Sequence, residues 1–481
     1  MVKISEQQIQ GIVDEVVREL AGTGAAKPVE TSPAPAEGEG VFDTVDEAVA
    51  ASGKAFQALH RLKLETRRDI IQAIRDVGIK QAREFSGRIL AETGMGRLED
   101  KVQKHLAVSR LTPGMEVIEQ KAWSGDYGLT VDERAPYGVI AAVQPSTHPV
   151  PTMINNAISM VSAGNSVVFA PHPAARRVSA YATGMLNRAI VAAGGPPNLL
   201  TTIREPSIAA AGELFKHPDV RLICVTGGPG VVAAAMKSNK RVIAAGPGNP
   251  PVVVDQTADM DHAARSIIAG GAFDNNIICI AEKEIIVVEK CAGELIAALE
   301  KAGAVRLDTQ QIERLSQEAF CPEDDGAGCS RPVLNRKLVG KNANVLGKIC
   351  GLELSDEVRL LFGECEADSP FVREEQMMPF IPIVRAKDIG AVIELAVEVE
   401  RGFKHTAVMH SRDVGNLTAM GRACDTTIFV KNGPSSAGLG IGGEGLLSFS
   451  IASPTGDGIT TALTFTRQRR CTMVGYLNIV P

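Results

Sequence analysis

The chain has 481 residues, enough to bury a large core and to divide into two or more domains. It carries 50 basic and 56 acidic residues, for a formal net charge of -6, and it has no dense basic run, so nucleic acid is not expected as a partner. No apolar run approaches the roughly 18 residues that suggest a membrane span, and no signal peptide opens the chain, so no membrane association is expected.

Nine cysteines are spread along the chain, and no two of them have CxxC spacing. An odd number without paired spacing argues against both a disulfide framework and a zinc site. We therefore expect reduced thiols in a reducing compartment and no metal site.

Residues 1–20 read as one amphipathic helix with an apolar stripe at helical spacing. The stripe consists of Ile9, Ile12, Val13, Val16, Val17 and Leu20. Residues 21–40 are rich in Ala, Gly and Pro and read as a flexible linker. An amphipathic helix with an apolar stripe, attached through a flexible linker, has the form of a docking peptide. The alternative is a helix that folds back on its own core or on a sister subunit.

The folded body is expected to begin near Val41 with helices. Thr44 with Glu47, and Thr66 with Asp69, have the spacing of capping boxes. An apolar stripe predicts that the second helix continues to about Gly94.

Short apolar runs alternate with helical patterns from Tyr137 onward. They predict strands at Val139–Val143, Val167–Ala170, Leu199–Ile203, Leu222–Val225 and Val242–Ala245, with Pro149 as the first residue of a helix. This alternation predicts an α/β fold with a parallel sheet covered on both faces, as in Rossmann-type dinucleotide-binding domains.

A glycine-rich loop follows one of these strands. Thr226, Gly227, Gly228, Pro229 and Gly230 lead into a helix with the form GxGxxA. Free backbone amides and the positive end of a helix suit a phosphate, so this loop is a candidate for the cofactor pyrophosphate.

A second series of strands is predicted at Val252–Asp255, Ile285–Val288, Ile381–Val384 and Ala407–Met409. Residues 121–135 and 459–481 alternate between apolar and polar and read as a protruding hairpin and a terminal strand.

Cys279 lies between a helical run and a strand of this second series. The run stops at Gly270–Gly271, where the backbone can turn freely. A thiol held between a helix end and a strand is a plausible exposed nucleophile. The alternative is a buried structural cysteine.

These pieces together resemble the coenzyme-A-acylating branch of the aldehyde dehydrogenase superfamily over residues 41–481. The resemblance rests on the segment around Cys279 and on Tyr137–Ile140, Gln144–Pro149, Val225–Gly230, Glu374–Phe380 and Lys404–Val408. It implies an NAD-binding domain at 41–248, with 121–135 as an oligomerisation hairpin, a catalytic domain at 249–435, and a return to the first domain with an oligomerisation strand at 436–481. In the family these two strand regions join subunits, so a homodimer or homotetramer is expected.

Residues 1–20 resemble the encapsulation peptides that carry enzymes into bacterial microcompartments. That resemblance implies a cytoplasmic enzyme inside a microcompartment, docked through residues 1–20 on a shell or core protein.

The resemblance implies that Cys279 attacks an aldehyde, that NAD accepts the hydride, and that a thioester remains on the sulfur. Hydrolytic members activate water with a glutamate, but the matching segment, Ala244–Gly248, has no carboxylate. The thioester is therefore expected to survive until the thiol of coenzyme A attacks it. A hydrolytic dehydrogenase and a noncatalytic scaffold are the alternatives.

Two further residues receive catalytic roles from the resemblance. His405 precedes an apolar strand and is expected to move protons, although a core histidine is the alternative. The family's oxyanion asparagine falls at Thr147, so backbone amides, including that of Cys279, are expected to meet the negative charge.

The cofactor residues of the family are only partly matched. Glu375 matches the carboxylate that binds the nicotinamide ribose, with a surface salt bridge as the alternative. Ala170 stands where the family has a ribose-binding lysine, and Pro171 and His172 follow it, so the choice between NAD and NADP stays open.

Ile277, Ile278 and Ile280 flank the thiol and predict a small apolar pocket. Such a pocket suits a short aliphatic aldehyde. Propanal is favoured, and acetaldehyde is not excluded.

Overall fold

The computed structural model describes residues 39–324 and 330–477, without the side chains of residues 321–331. The predictions for the helix at 1–20 and for nearly all of the linker at 21–40 lie outside these residues.

The helices and strands follow one another in a mixed order. The helices are α1 (Val45–Leu59), α2 (Leu64–Lys80), α3 (Ala82–Thr93), α4 (Leu98–Leu111), α5 (Pro149–Ser162), α6 (Arg176–Ala192), α7 (Ile208–Lys216), α8 (Pro229–Met236), α9 (Met260–Gly271), α10 (Glu289–Lys301), α11 (Thr309–Ala319), α12 (Ala343–Ile349), α13 (Pro370–Arg373), α14 (Ile389–Glu400) and α15 (Val414–Cys424). The strands are β1 (Val41–Phe42), β2 (Lys121–Gly125), β3 (Gly128–Pro136), β4 (Val139–Gln144), β5 (Ser166–Pro171), β6 (Leu200–Ile203), β7 (Val220–Thr226), β8 (Arg241–Ala245), β9 (Pro251–Val254), β10 (Glu284–Val288), β11 (Val305–Arg306), β12 (Phe320–Asp324), β13 (Ser330–Leu334), β14 (Leu361–Glu364), β15 (Phe380–Ala386), β16 (Thr406–His410), β17 (Ile428–Lys431), β18 (Ile451–Ala452), β19 (Gly458–Ile459) and β20 (Thr466–Val474).

Two parallel sheets form the framework. The first has the order β1-β6-β5-β4-β7-β8, and the second has the order β11-β14-β15-β10-β9-β16-β17. Parallel strands buried on both faces are apolar throughout, which is why all the predicted strands of these sheets lie where the sequence placed them. The α/β fold class is confirmed, whereas the domain boundary at 248/249 remains a prediction.

The first sheet is covered on both faces. Along β4, Ile140 and Ala142 pack into the apolar cluster of α2, α5 and α6, while Val139, Ala141 and Val143 pack into the cluster of α1, α7 and α8. Every residue of α5 is buried, and Pro149 is its first residue, as predicted. Helices therefore cover both faces of this sheet, and its central strand β4 is buried at every residue.

The amino-terminal helices differ from the sequence prediction in two respects. The capping box of Thr44 and Glu47 is present, but α2 already begins at Leu64, so Thr66 lies inside the helix and forms no capping box. The apolar stripe covers two helices, because the chain leaves the helical conformation at Gln81. The second of them ends at Gly94 with a φ of 66°, a conformation that favours glycine.

The hairpin β2–β3 and the strand β20 form a separate antiparallel sheet. Residues 466–474 pair with residues 128–136 along their whole length, so the predicted hairpin and terminal strand are joined in one sheet. Much of this sheet is exposed, including the side chains of Trp123 and Val474.

The described residues contain neither a membrane-spanning helix nor a metal-binding cluster. Across 39–324 and 330–477, no helix combines the length and the apolar character needed to cross a bilayer. The same ranges contain no group of three or more His, Cys, Asp and Glu side chains placed to bind a metal ion.

Candidate active site

The two sheets place the predicted site residues at two particular edges. In the first sheet, Thr147, Pro171 and the loop after Thr226 follow the carboxyl ends of neighbouring strands β4, β5 and β7. In the second sheet, Cys279 and His405 precede the amino ends of β10 and β16, which flank β9 on either side. Strand order therefore brings together residues that are far apart in the sequence.

Cys279 lies in the segment 272–283, here called the nucleophile loop, which connects α9 to β10. Gly270 and Gly271 are the last residues of α9, and neither has a positive φ. The prediction that they provide a free turn is therefore wrong. A Cβ atom at Gly270 would lie 2.0 Å from a carboxylate oxygen of Glu282, and one at Gly271 would lie 2.2 Å from Cδ1 of Ile381. These glycines are needed for close packing.

The turn itself is made by three consecutive residues in the left-handed region. Asp274, Asn275 and Asn276 have φ values of 48°, 55° and 67°. Asp and Asn tolerate this conformation better than other residues with a Cβ, and such backbone is found preferentially at functional sites. The side-chain amide of Asn276 donates to the carbonyls of Gly271 and Glu282, at 2.8 Å each, and so closes the loop on itself.

A buried ion cluster anchors the start of the nucleophile loop to α4. One carboxylate oxygen of Asp274 lies 3.0 Å from Nζ of Lys101 and 2.7 Å from Nζ of Lys104, and all three side chains are almost fully buried. The other oxygen accepts a hydrogen bond from the backbone N–H of Arg97 at 2.8 Å. Removing one partner of a buried pair typically costs about 3–5 kcal/mol, so this anchor holds the loop firmly.

A second buried cation lies inside the loop itself. The Lys283 side chain is fully buried, and its Nζ donates to the carbonyl of Asn276 at 2.9 Å, to the carbonyl of Ile278 at 3.5 Å and to the side-chain oxygen of Asn276. Burial lowers the pKa of Lys283, while Glu375 and Cys279 oppose that effect. Two residues that precede Cys279, Asn276 and Ile278, are thus hydrogen-bonded to one lysine that follows it.

Cys279 is half-buried, and its surroundings disfavour the thiolate. Burial, followed by the nearby carboxylate of Glu375, raises the pKa of the thiol to about 12, whereas Lys283 and Lys104 act in the opposite direction. At neutral pH the thiol therefore keeps its proton in the absence of a ligand. A nucleophilic attack from this sulfur needs a base.

His405 lies beside Cys279 with only Gly248 between them. A Cβ atom at Gly248 would lie 2.6 Å from the carbonyl oxygen of Cys279 and 3.0 Å from Cγ of His405. This proximity follows from the sheet, because Gly248 precedes the central strand β9, while Cys279 and His405 precede its two neighbours. The backbone of Cys279 and the ring of His405 therefore approach the same glycine, while the action of His405 on the thiol remains a prediction.

The imidazole of His405 is neutral at physiological pH. Burial and the charge of Lys283 lower its pKa to about 4. Its Nδ1 lies 2.9 Å from Oγ1 of Thr406, and its buried Nε2 has no partner within the described part of the chain. A neutral ring with a free nitrogen can accept a proton.

Glu375 faces the same centre from the segment before β15. Burial raises the pKa of its carboxyl group to about 7, against the effects of Lys283 and of a hydrogen bond from the backbone of Gly248. No salt bridge to Glu375 is found among the described residues, so the alternative of a surface ion pair is not supported. A carboxylate in this position can accept hydrogen bonds from ribose hydroxyls.

Thr147 lies next to the nucleophile loop through its neighbour His148. The Thr147 hydroxyl lies 2.9 Å from Nδ1 of His148, and the same ring forms a hydrogen bond with the backbone of Ile277. The side chain of Ile277 is fully buried near Gly340, while Ile278 and Ile280 pack into the core of the second sheet. The apolar pocket at these three isoleucines remains a prediction.

The glycine-rich loop has the features that a dinucleotide needs. Gly228 precedes α8, Pro229 opens it, and a Cβ atom at Gly228 or Gly230 would meet nothing within 4 Å. The backbone amides at this helix start are thus open to a phosphate. Ile208, the first residue of α7, is 93% exposed.

The remaining cofactor residues share this edge of the sheet. Pro171 ends β5, and His172 is exposed, with its Nδ1 accepting a hydrogen bond from the backbone of Ala174 at 3.1 Å. The hydroxyl of Thr226 lies 2.7 Å from that of Ser450, so this side chain holds the fold together. Gly227 lies between Thr226 and the helix start and is half-buried.

Sequence reasoning missed the buried cations Lys101, Lys104 and Lys283. The charged triplet Glu282–Glu284 received no role from the sequence, and all three residues are 0% exposed. The available signal was the position of the triplet, which directly precedes the wholly apolar run Ile285–Val288. A charge that opens a strand buried on both faces must itself be buried.

Comparisons with known proteins agree with this arrangement. A model of the aldehyde dehydrogenase family matches residues 37–445. The acetylating acetaldehyde dehydrogenase EutE of Salmonella typhimurium is 48% identical over 478 residues, which cover 99% of this chain and 100% of that protein.

Solved structures show the same fold. A propionaldehyde dehydrogenase from the fucose utilisation bacterial microcompartment of Clostridium phytofermentans is 44% identical, with a TM-score of 0.88 over 92% of this chain and 99% of that one. A Rhodopseudomonas palustris propionaldehyde dehydrogenase with bound CoA and an acylated cysteine has the same TM-score, 0.88, at 44% identity, over 92% of this chain and 99% of that one. The chain therefore belongs to the aldehyde dehydrogenase family, in its coenzyme-A-acylating branch.

Proposed function

We propose that this enzyme oxidises a short aliphatic aldehyde to its acyl-CoA, with propanal favoured over acetaldehyde and with Cys279 as the nucleophile. NAD and coenzyme A are the cofactor and co-substrate of the reaction. The observation that carries the residue assignment is the contact of Gly248 with both Cys279 and His405, in a segment that offers no carboxylate to activate water.

His405 serves as the base for the first step. Its neutral ring accepts the proton of the Cys279 thiol while the sulfur bonds to the carbonyl carbon of the aldehyde. The oxygen of the resulting thiohemiacetal is stabilised near Thr147 and the backbone amide of Cys279. When NAD is bound, it supplies the acceptor for the hydride that leaves this carbon, and a thioester remains on Cys279.

The second step transfers the acyl group. The thiol of coenzyme A loses its proton, attacks the thioester carbon and displaces the sulfur of Cys279. His405, once it has released its first proton to solvent, receives this one and returns it to the displaced thiolate of Cys279. The glycine-rich loop Gly227–Gly230 would hold the pyrophosphate of NAD, Pro171 and His172 would lie near its adenosine part, and Glu375 would accept hydrogen bonds from its nicotinamide ribose.

Steady-state rates with propanal and with acetaldehyde test the proposed substrate. We expect a higher kcat/KM for propanal, because one extra methylene in an apolar pocket contributes roughly 1–3 kcal/mol. A higher kcat/KM for acetaldehyde would reassign the substrate but leave the reaction class unchanged.

Replacing His405 with alanine is expected to slow acyl-CoA formation by roughly 10²–10⁴-fold, the usual effect of losing a positioned acid or base. Rates measured across pH should also lose their dependence on this group. Thr418→Ala, on the exposed face of α15, is the matched control. An unchanged rate and pH profile in His405→Ala would return His405 to a structural role.

Residues 1–20 are proposed to dock the enzyme on a shell or core protein of a bacterial microcompartment. Two observations support this: the apolar stripe of the predicted helix, and the microcompartment origin of the similar C. phytofermentans enzyme. Burial of such a stripe contributes roughly 1.5–3 kcal/mol per large side chain before ordering costs.

Deletion of residues 1–38 is expected to leave kcat and KM nearly unchanged and to abolish the entry of a fused fluorescent protein into the compartment. The deletion stops there because Glu39 contacts Arg188 at 2.5 Å. Fluorescence microscopy of cells that form the shell provides the measurement. Loss of activity or of subunit assembly would show that the helix belongs to the fold.

The exposed sheet of β2, β3 and β20 is proposed to join subunits into a dimer or tetramer. The support is the exposure of Trp123 and Val474 on a sheet that otherwise has little to cover it. Light scattering of the full chain distinguishes a monomer, a dimer and a tetramer.

A further inference from the structure

Lys283 is a buried charge for which the reaction steps above have no use. It has 0% exposure and directly precedes β10, four residues after the nucleophile. Burying a lysine costs free energy unless its charge is compensated, so a purely structural purpose would be served as well by an apolar side chain. Its position beside Cys279 suggests a use for the charge.

The hydrogen bonds of Lys283 define its protonation state. Three oxygens surround Nζ: the carbonyl of Asn276 at 2.9 Å, the side-chain oxygen of Asn276, and the carbonyl of Ile278 at 3.5 Å. A neutral amine has two N–H donors, whereas an ammonium has three. All three N–H donors of the charged form therefore have an oxygen to face, two at ordinary hydrogen-bond distance or closer and one at 3.5 Å.

Several ionisable groups face this centre. Among the charged groups near Cys279, Glu375 raises the pKa of the thiol, while Lys283 and, less strongly, Lys104 lower it. The pKa of Lys283 is in turn raised by Glu375, Cys279, Glu284 and Glu282. The charge of Lys283 lowers the pKa of His405. The carboxylate of Glu282 accepts hydrogen bonds from the backbone N–H and the hydroxyl of Ser435, at 2.7 and 2.8 Å. Glu375 is thus the acidic group that most directly opposes the lysine at the thiol.

We propose that Lys283 is a positioning residue whose ammonium group gathers the carbonyls of the nucleophile loop and provides the positive charge that stabilises the Cys279 thiolate. The carbonyls of Asn276 and Ile278 on the approach to Cys279 are turned toward one cation, which holds the left-handed turn closed. The same charge meets the sulfur when His405 removes its proton. This assignment deepens the proposed function and rests on Cys279 as its nucleophile.

Alkylation by iodoacetamide tests this role without aldehyde, NAD or coenzyme A, because only a thiolate reacts. The reaction of the peptide that contains Cys279 is followed by mass spectrometry over a range of pH. Lys283→Met is expected to slow this alkylation by roughly 10- to 10³-fold at neutral pH, since an opposite charge within about 4–6 Å shifts a pKa by 1–3 units. Its pH midpoint should rise, and Lys283→Arg should restore part of the rate.

Two controls accompany the measurement. Lys301→Met removes an exposed lysine that pairs with Asp261 on the surface and should leave the alkylation of Cys279 unchanged. Cys365, a half-buried free cysteine outside the nucleophile loop, should react at the same rate in every variant. An unchanged rate for Cys279 in folded Lys283→Met overturns the proposal.

Lys283→Gln provides an independent test if Lys283→Met fails to fold, because its amide keeps N–H donors for the carbonyls but carries no charge. Alkylation of Cys279 should again be slowed relative to the native enzyme. An unchanged rate in folded Lys283→Gln overturns the proposal in that case. The proposed reaction would fail separately if the native enzyme formed no acyl-CoA. The difference in alkylation between the native enzyme and Lys283→Met could still be observed in that case.

Discussion

Replacement of Cys279 by serine is expected to lower aldehyde-dependent NADH formation by roughly 10⁴- to 10⁶-fold, the range for single members of a nucleophilic catalytic group. A hydroxyl group is far less acidic and less nucleophilic than a thiol, so the serine oxygen should attack the aldehyde carbon far more slowly than the sulfur does. The glycine loop at Gly228 is unaffected, so NAD should bind as before. NADH absorbance and a titration with NAD measure the two effects.

Cys365→Ser is the matched control, because Cys365 is a half-buried free cysteine outside the nucleophile loop. Its turnover should equal that of the native enzyme. If Cys279→Ser kept near-native turnover, the nucleophile would have to be another cysteine, and the mechanism would fail.

Omission of coenzyme A is expected to limit the enzyme to a single burst of NADH, stoichiometric with its active sites. The glutamate that activates water in hydrolytic members has no counterpart, since the segment Ala244–Gly248 has no carboxylate and Ala244 is fully buried. The nearby carboxylate of Glu282 is bound to Ser435. Addition of coenzyme A should restore continuous turnover, because its thiol releases the acyl group.

A coenzyme A analogue without the thiol is the control for this burst. It occupies the same site but cannot attack the thioester, so the burst should remain single in its presence. Sustained NADH formation without any added thiol would instead support a hydrolytic dehydrogenase that produces the free acid.

The framework of the fold could be predicted because its signals are local. Apolar runs such as Val139–Val143 and Ile285–Val288 are strands buried on both faces. Pro149 begins a helix because its ring fixes φ near the helical value and it lacks an N–H that would need a partner. The predictions of the nucleophile and of the glycine-rich loop likewise rest on contiguous segments. These features depend little on what packs against them.

The rest depends on contacts across the chain. Gly270 and Gly271 suggested a turn, but their reason lies in Glu282 and Ile381, which approach from elsewhere. Asp274 gave no sign of its partners, since Lys101 and Lys104 are about 170 positions away in the sequence. A buried cation is invisible to pattern analysis, because a lysine at the surface and one in a core look the same in sequence.

Similar reasoning applies to the proximity of His405 and Cys279. Their neighbourhood follows from the strand order β10-β9-β16, which places Gly248 between them. Local patterns predict the strands but not their order within the sheet. The role of each residue could be expected from the family, whereas the contact through Gly248 required the fold.

The mass of the peptide that contains Cys279, taken after the enzyme is mixed with propanal and NAD but without coenzyme A, tests the central claim most directly. We predict that this peptide gains the mass of a propionyl group and loses it again when coenzyme A is added, with propionyl-CoA as the product. A peptide of unchanged mass at the end of the NADH burst, or an acyl group on another cysteine, would contradict the account.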